Sequence, residues 1–169
     1  MRAAAMEPRI RRVVSWSVLP SIYGALMADK PAEIRAKLEH WLDENNREAI
    51  LDLYAGLAER EPLFRWSIQH SNYAYGTSDV YEYLQKARAF TMEPVAEQIT
   101  QDVLLLSARE DLLVDFGLYK QEIDLLKNTR SLEFAVPGRA LNGQAHCNMG
   151  NTKYMLDLIL NWNDRMLER

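Results

Sequence analysis

Residues 102–115 read DVLLLSAREDLLVD. The run Val103-Leu104-Leu105-Leu106 contains no polar residue, so a strand formed from it must meet apolar layers on both faces, as happens when helices cover a parallel sheet from each side. Two further segments read as its partners. Val13 to Val18 is a short run rich in Val and Trp, opened by Arg11-Arg12 and closed by Pro20, which predicts a strand buried on both faces. Leu132, Phe134 and Val136 alternate with Ser131, Glu133 and Ala135, which predicts a half-exposed strand near a sheet edge.

Helical patterns fill the intervals. Pro31 at a first-turn position followed by Ile34, Leu38, Trp41 and Leu42 gives an apolar stripe at three- and four-residue spacing. A second helix runs through Ile50, Leu53, Tyr54 and Leu57 and ends before Pro62. A third spans Val80 to Ala89, with Ser78 or Asp79 as its cap. Phe116 to Leu126 and Asn151 to Leu167 supply two more, the last with Met155, Leu158, Ile159 and Trp162 on one face. Strand, helical block, strand, helix, strand, loop and helix together predict an α/β layer arrangement with a helical insertion. Three strands are few for so much apolar helix surface, so further strands are expected upstream.

The chain has 169 residues, 48% hydrophobic and 26% charged, a globular composition with enough length for one core. A net charge of -4 gives no electrostatic reason to expect nucleic-acid or anionic-membrane partners, which favour clustered Lys and Arg. The single cysteine, Cys147, has no intrachain partner, and no Cys/His spacing suggests zinc. No cofactor or metal is called for, and a reducing cytoplasm is the expected compartment. The terminus MRAAAMEPRIRR breaks any apolar signal core with Pro, Glu and Arg, and no stretch reaches membrane-spanning length without polar interruption.

Two residues stand out chemically. Asp111 follows the central strand, on the edge where α/β sheets place ligands; the simpler reading makes Asp111 or Asp115 a turn or helix-cap carboxylate. His146 lies in VPGRALNGQAHCNMGN, after the third strand and before the terminal helix. A histidine on such a loop serves as general base if a buried carboxylate orients one ring nitrogen; the simpler reading is an exposed or capping histidine. Acid after one strand and histidine after the next matches the Asp-then-His part of the Ser, Asp, His order of α/β-hydrolases. Ser17 and Cys147 are the alternative nucleophiles. Ser17 sits near a strand end but lacks the motif of a strained elbow, and Cys147, next to His146, is better read as packing. Arg9, Arg11 and Arg12 read as a solvated strand entry. In the aromatic cluster Phe64, Trp66, Tyr73, Tyr75, Tyr81 and Tyr83, Trp66 and Tyr75 are candidates for a substrate pocket, with core packing or a partner interface as the alternative.

The stretches ITQDVLLLSARED, KNTRSLEF and AHCNMGN, with the final helix bearing Trp162, resemble the C-terminal third of a group of α/β-hydrolases. That group includes 2,6-dihydroxypseudooxynicotine hydrolase, fungal polyketide-shortening hydrolases and related prolyl-oligopeptidase-like esterases. The His-Cys-x-x-Gly-Asn pattern is the most specific part. FRWSIQHSNYAYGTSDVYEYLQKARAFT resembles the cap of these enzymes, and RAAAMEPRIRRVVSWS resembles the end of the helix after the nucleophile elbow and the strand beyond it. The resemblance implies three segments: 1–28, the helix end and strand after the elbow; 29–92, a helical cap; and 93–169, the core segment carrying Asp111 and His146. It also implies an ester or carbon–carbon bond hydrolase in which serine attacks, His146 relays the proton and Asp111 orients His146. The elbow serine would lie on the order of ten residues before Arg2, and no Gly-x-Ser-x-Gly occurs within the 169 residues. The expectation is therefore a chain inactive alone, with a small-molecule substrate in the complete enzyme. The alternatives are a non-catalytic module that binds a partner or forms a homodimer through an unpaired strand, and one part of a split enzyme completed by an N-terminal partner chain.

Overall fold

The computed structural model describes residues 1–17 and 19–168. In sequence order they form α1 (Arg2–Met6), β1 (Arg12–Trp16), α2 (Ile22–Met27), α3 (Ala32–Asp43), α4 (Arg47–Arg60), α5 (Pro62–Tyr75), α6 (Val80–Ala89), β2 (Asp102–Leu106), α7 (Gly117–Leu125), β3 (Ser131–Ala135) and α8 (Thr152–Leu167). The chain divides into two compact units, one made of Met1–Pro20 and Thr91–Arg169, the other of Ser21–Phe90. No helix among the described residues is long and apolar enough to cross a membrane.

The first unit is a mixed α/β layer structure around a three-stranded parallel sheet in the order β1-β2-β3. Val103 and Leu105 point to one face of β2, where they pack with Ala4, Val13, Ile99, Tyr119 and Leu126. Leu104 and Leu106 point to the other, against Met155, Trp162 and Met166 of α8. Every residue of β2 is buried, which is why the sequence shows no alternation there. On α8 the apolar stripe lets Met155, Trp162 and Met166 bury fully while Leu158 and Ile159 flank them.

The outer strands differ from β2 because each has one strand neighbour. β1 was expected to be buried on both faces, but Val14 is 37% exposed; an unalternating Val-Val-Ser-Trp run does not distinguish a central strand from an outer one. Val18, the expected last residue of that strand, lies outside the described residues. β3 is the other outer strand, and Phe134 is 60% exposed while meeting Tyr119 edge to face at 5.9 Å.

The second unit is wholly helical. Met27, Leu38, Leu42, Ile50, Tyr54, Val80, Tyr83, Leu84 and Ala87 form its core. Leu38 and Leu42 are buried on α3, whereas Ile34 is partly exposed and Trp41 carries Lys37 Nζ 4.6 Å from its ring. Pro31 is the residue before α3 rather than part of its first turn. Asp79 caps α6, accepting the Glu82 N–H at 3.0 Å. Helix α5 falls within the expected helical block but was not expected as a separate helix. Its aromatic residues obscure the helical period, but Pro62 opens it at a position that needs no N–H and Gly76, at φ 61°, ends it in the left-handed conformation.

One carboxyl is buried in the sheet unit without a described partner. Glu122 of α7 is fully buried, and neither of its oxygens is hydrogen-bonded among the described residues. Burial raises its pKa above the usual carboxylate range; Ser15 and Leu19 lie near enough to oppose this in part, without hydrogen-bonding geometry. A raised folded-state pKa makes the stability contribution greatest below the unfolded-state value and lost as pH rises through the folded one. Denaturant melts should thus show stability falling from acidic toward neutral pH, and Glu122→Gln should flatten that slope; an equal slope in both proteins would remove Glu122 as its source. At β2, Leu105→Ala should cost about 2–5 kcal/mol in the same melts, against about 0.5 kcal/mol or less for Leu112→Ala at a 96% exposed position.

Candidate active site

The three parallel strands deliver their following loops to one edge of the sheet, the C-terminal edge. β2 continues through Ser107 and Ala108, both buried, to Asp111. Asp111 Oδ1 accepts the backbone N–H groups of Leu113 at 2.8 Å and Val114 at 3.0 Å, a local turn that aspartate favours. The same carboxylate also faces His146, whose Nδ1 lies 3.0 Å from Oδ1 and 2.9 Å from Oδ2. One side chain thus makes both the local turn and the contact with His146. Asp115 instead accepts the Gly117 N–H at 2.7 Å, at the start of α7.

The Asp111 side chain is 4% exposed and that of His146 35%. A carboxylate only accepts hydrogen bonds, so Nδ1 must carry the proton that joins the two. Neutral His146 then holds its free lone pair on Nε2, the arrangement of a histidine ready to take a proton from a hydroxyl.

The loops carrying the two residues are tied to each other. The Glu110 N–H donates to the Gln144 carbonyl at 2.9 Å, and Arg139 donates through Nε and Nη2 to the two Glu110 oxygens at 2.7 and 2.6 Å. Arg139 holds the Glu110 carboxyl below its usual range; both groups are solvent-exposed, so this clamp guides the loops more than it stabilises them.

His146 opens a tight 3-10 turn, His146–Asn151, in which Cys147 (φ 51°) and Asn148 (φ 50°) adopt left-handed backbone. Asn148 is fully buried. Its Oδ1 accepts the Trp16 indole N–H at 3.0 Å, and its Nδ2 donates to the carbonyls of Ser107 at 3.2 Å and Gly143 at 2.5 Å. One side chain thus joins the end of β1, the end of β2 and the histidine loop. Gly150 allows the turn to close, since a Cβ there would stand 2.1 Å from the Asn142 carbonyl oxygen. Asn151 then caps α8 by accepting the Tyr154 N–H at 3.1 Å.

Sequence reasoning passed over Asn148, although it lies inside the His-Cys-x-x-Gly-Asn pattern at one of the unspecified positions. The available signal was that asparagine is among the few residues that enter the left-handed region readily. Ser17 follows β1 directly, donates its N–H to the Leu106 carbonyl at 3.0 Å, and places Oγ 3.2 Å from Cys147 Sγ. Trp66 and Tyr75 belong to the helical unit. Trp66 is 57% exposed and stacks on His70 at 5.2 Å, while Tyr75 is held edge to face by Tyr83 at 5.0 Å and Phe90 at 5.5 Å.

The chain matches no protein-family model, and no curated protein matches it.

Asn148→Ala should lower stability by about 1–3 kcal/mol, because it strands two buried carbonyls and the half-buried Trp16 indole N–H. Denaturant unfolding checks this, and a loss within experimental error would show that Asn148 does not hold the turn.

Proposed function

We propose that Asp111 and His146 are the acid and base of a serine-hydrolase site on an α/β-hydrolase scaffold. The observation that carries the reading is the contact of His146 Nδ1 with both oxygens of a nearly buried carboxylate on the loop of the adjacent strand. The Asp-then-His order and the resemblance of 99–111, 127–134 and 145–151 to such enzymes support it.

In this mechanism a serine hydroxyl attacks the carbonyl of an ester, or the ketone that activates a carbon–carbon bond. Nε2 of His146 takes the hydroxyl proton and then gives it to the leaving group, while Asp111 keeps the ring in one tautomer and stabilises the imidazolium. Water cleaves the acyl-serine by the same steps in reverse roles. The serine belongs to a Gly-x-Ser-x-Gly elbow that the resemblance places before Arg2, either upstream in the same polypeptide or on a partner chain.

Fluorophosphonate labelling followed by mass-spectrometric location of the modified residue tests the proposal. The 169-residue chain alone should show no histidine-dependent labelling. Joined to a polypeptide bearing the elbow, it should label the elbow serine, and His146→Ala should slow this by about a thousand-fold or more. Labelling indifferent to His146→Ala in the joined protein would overturn the assignment. Histidine-dependent labelling of Ser17 in the chain alone would move the nucleophile to the end of β1.

A further inference from the structure

We propose that Ser17 is a positioning residue for His146, its hydroxyl latching the end of β1 to the turn that presents the imidazole. The proposal rests on the reading of Asp111 and His146 as a working pair.

Ser17 has φ 65°, a left-handed conformation that costs any residue with a Cβ and that glycine adopts freely. A serine at such a position makes sense where its side chain is used. The Ser17 hydroxyl is half-buried and lies 3.2 Å from Cys147 Sγ, a hydrogen-bonding distance in which either atom can donate. Cys147 is the residue directly after His146.

The neighbouring contact runs in parallel: Trp16 Nε1–H donates to Asn148 Oδ1 at 3.0 Å. Two consecutive residues at the end of β1, Trp16 and Ser17, thus engage two consecutive residues after the histidine, Asn148 and Cys147. Both of those have left-handed backbone, and it is this double reversal that lets both side chains meet the end of β1. Such strained, over-determined backbone is characteristic of functional sites.

The Asp111 contact alone leaves the histidine ring one freedom. A single Nδ1–H···carboxylate bond permits the imidazole to swing about that bond, and a change of backbone at Cys147 would carry the ring with it. The Asn148 bonds fix the second residue of the turn; the Ser17 contact fixes the first, the one covalently joined to His146. Ser17 therefore acts through His146 and does not itself need to meet the reacting atoms.

The test is nitrogen-15 NMR of the imidazole in the full 169-residue chain, which reads the Nδ1–H to Nε2–H tautomer ratio of His146. The parent should show the Nδ1–H form predominating. Ser17→Ala removes the hydroxyl at unchanged backbone cost, and Ser17→Gly removes it while relieving that cost, so the glycine variant should fold even if the alanine variant does not. Both are expected to lower the tautomer ratio by about three-fold or more. Cys147→Ala should have a similar effect, and Ser17→Gly combined with Cys147→Ala should add nothing further, since the two atoms form one contact. A parent-like ratio in Ser17→Gly, or fully additive effects in the double variant, would overturn the proposal.

Asp111→Asn separates this failure from that of the underlying reading. If Asp111→Asn alters the ratio and Ser17→Gly does not, only the role of Ser17 falls. If Asp111→Asn leaves the parent ratio unchanged, the pairing of Asp111 with His146 falls, and the proposal for Ser17 with it.

Discussion

The burial of β2 on both faces is the constraint on which the sheet unit rests. Four apolar residues in a row, Val103 to Leu106, present side chains alternately to α7 with α1 and to α8. A strand in that position has water on neither side, so its backbone groups must be paired laterally, and β1 and β3 supply that pairing in parallel register. The parallel arrangement then has a chemical consequence. All three strands end at the same edge, and the loops that leave that edge carry Ser17, Asp111 and His146.

At that edge, polar groups are held by buried hydrogen bonds rather than by exposed ion pairs. Asn148 is the clearest case: fully buried, it satisfies an indole N–H and two carbonyls from three separate segments. In a setting without water each of these groups would be costly to leave unpaired, so the side chain fixes where the segments stand relative to each other. The Arg139–Glu110 pair lies outside this network, open to solvent and correspondingly weaker. Glu122 is the contrast within the same unit, a carboxyl that burial shifts toward its neutral form.

The candidate acid and base were legible from the chain because each sits after a strand whose pattern is plain. The unalternating run gave β2, the alternating one gave β3, and the acidic and histidine-bearing loops followed from chain order. Less legible were α5, where aromatic residues hide the helical period, and the exposure of Val14, where an outer strand reads like an inner one. Asn148 was harder to read, because its importance comes from Trp16, Ser107 and Gly143, two of which lie far from it in sequence.

The sequence by itself determined the mixed α/β layering, the three strands and Asp111 and His146 as candidates, because periodicity and composition are local properties that burial reads one element at a time. Only the tertiary structure decided that Asp111 and His146 touch, that both carboxylate oxygens face Nδ1, and that the left-handed backbone at Ser17, Cys147 and Asn148 brings the end of β1 to the histidine turn. Those facts depend on distances between segments remote in the chain. No local pattern encodes a distance until the apolar faces of β2 have gathered the segments around it.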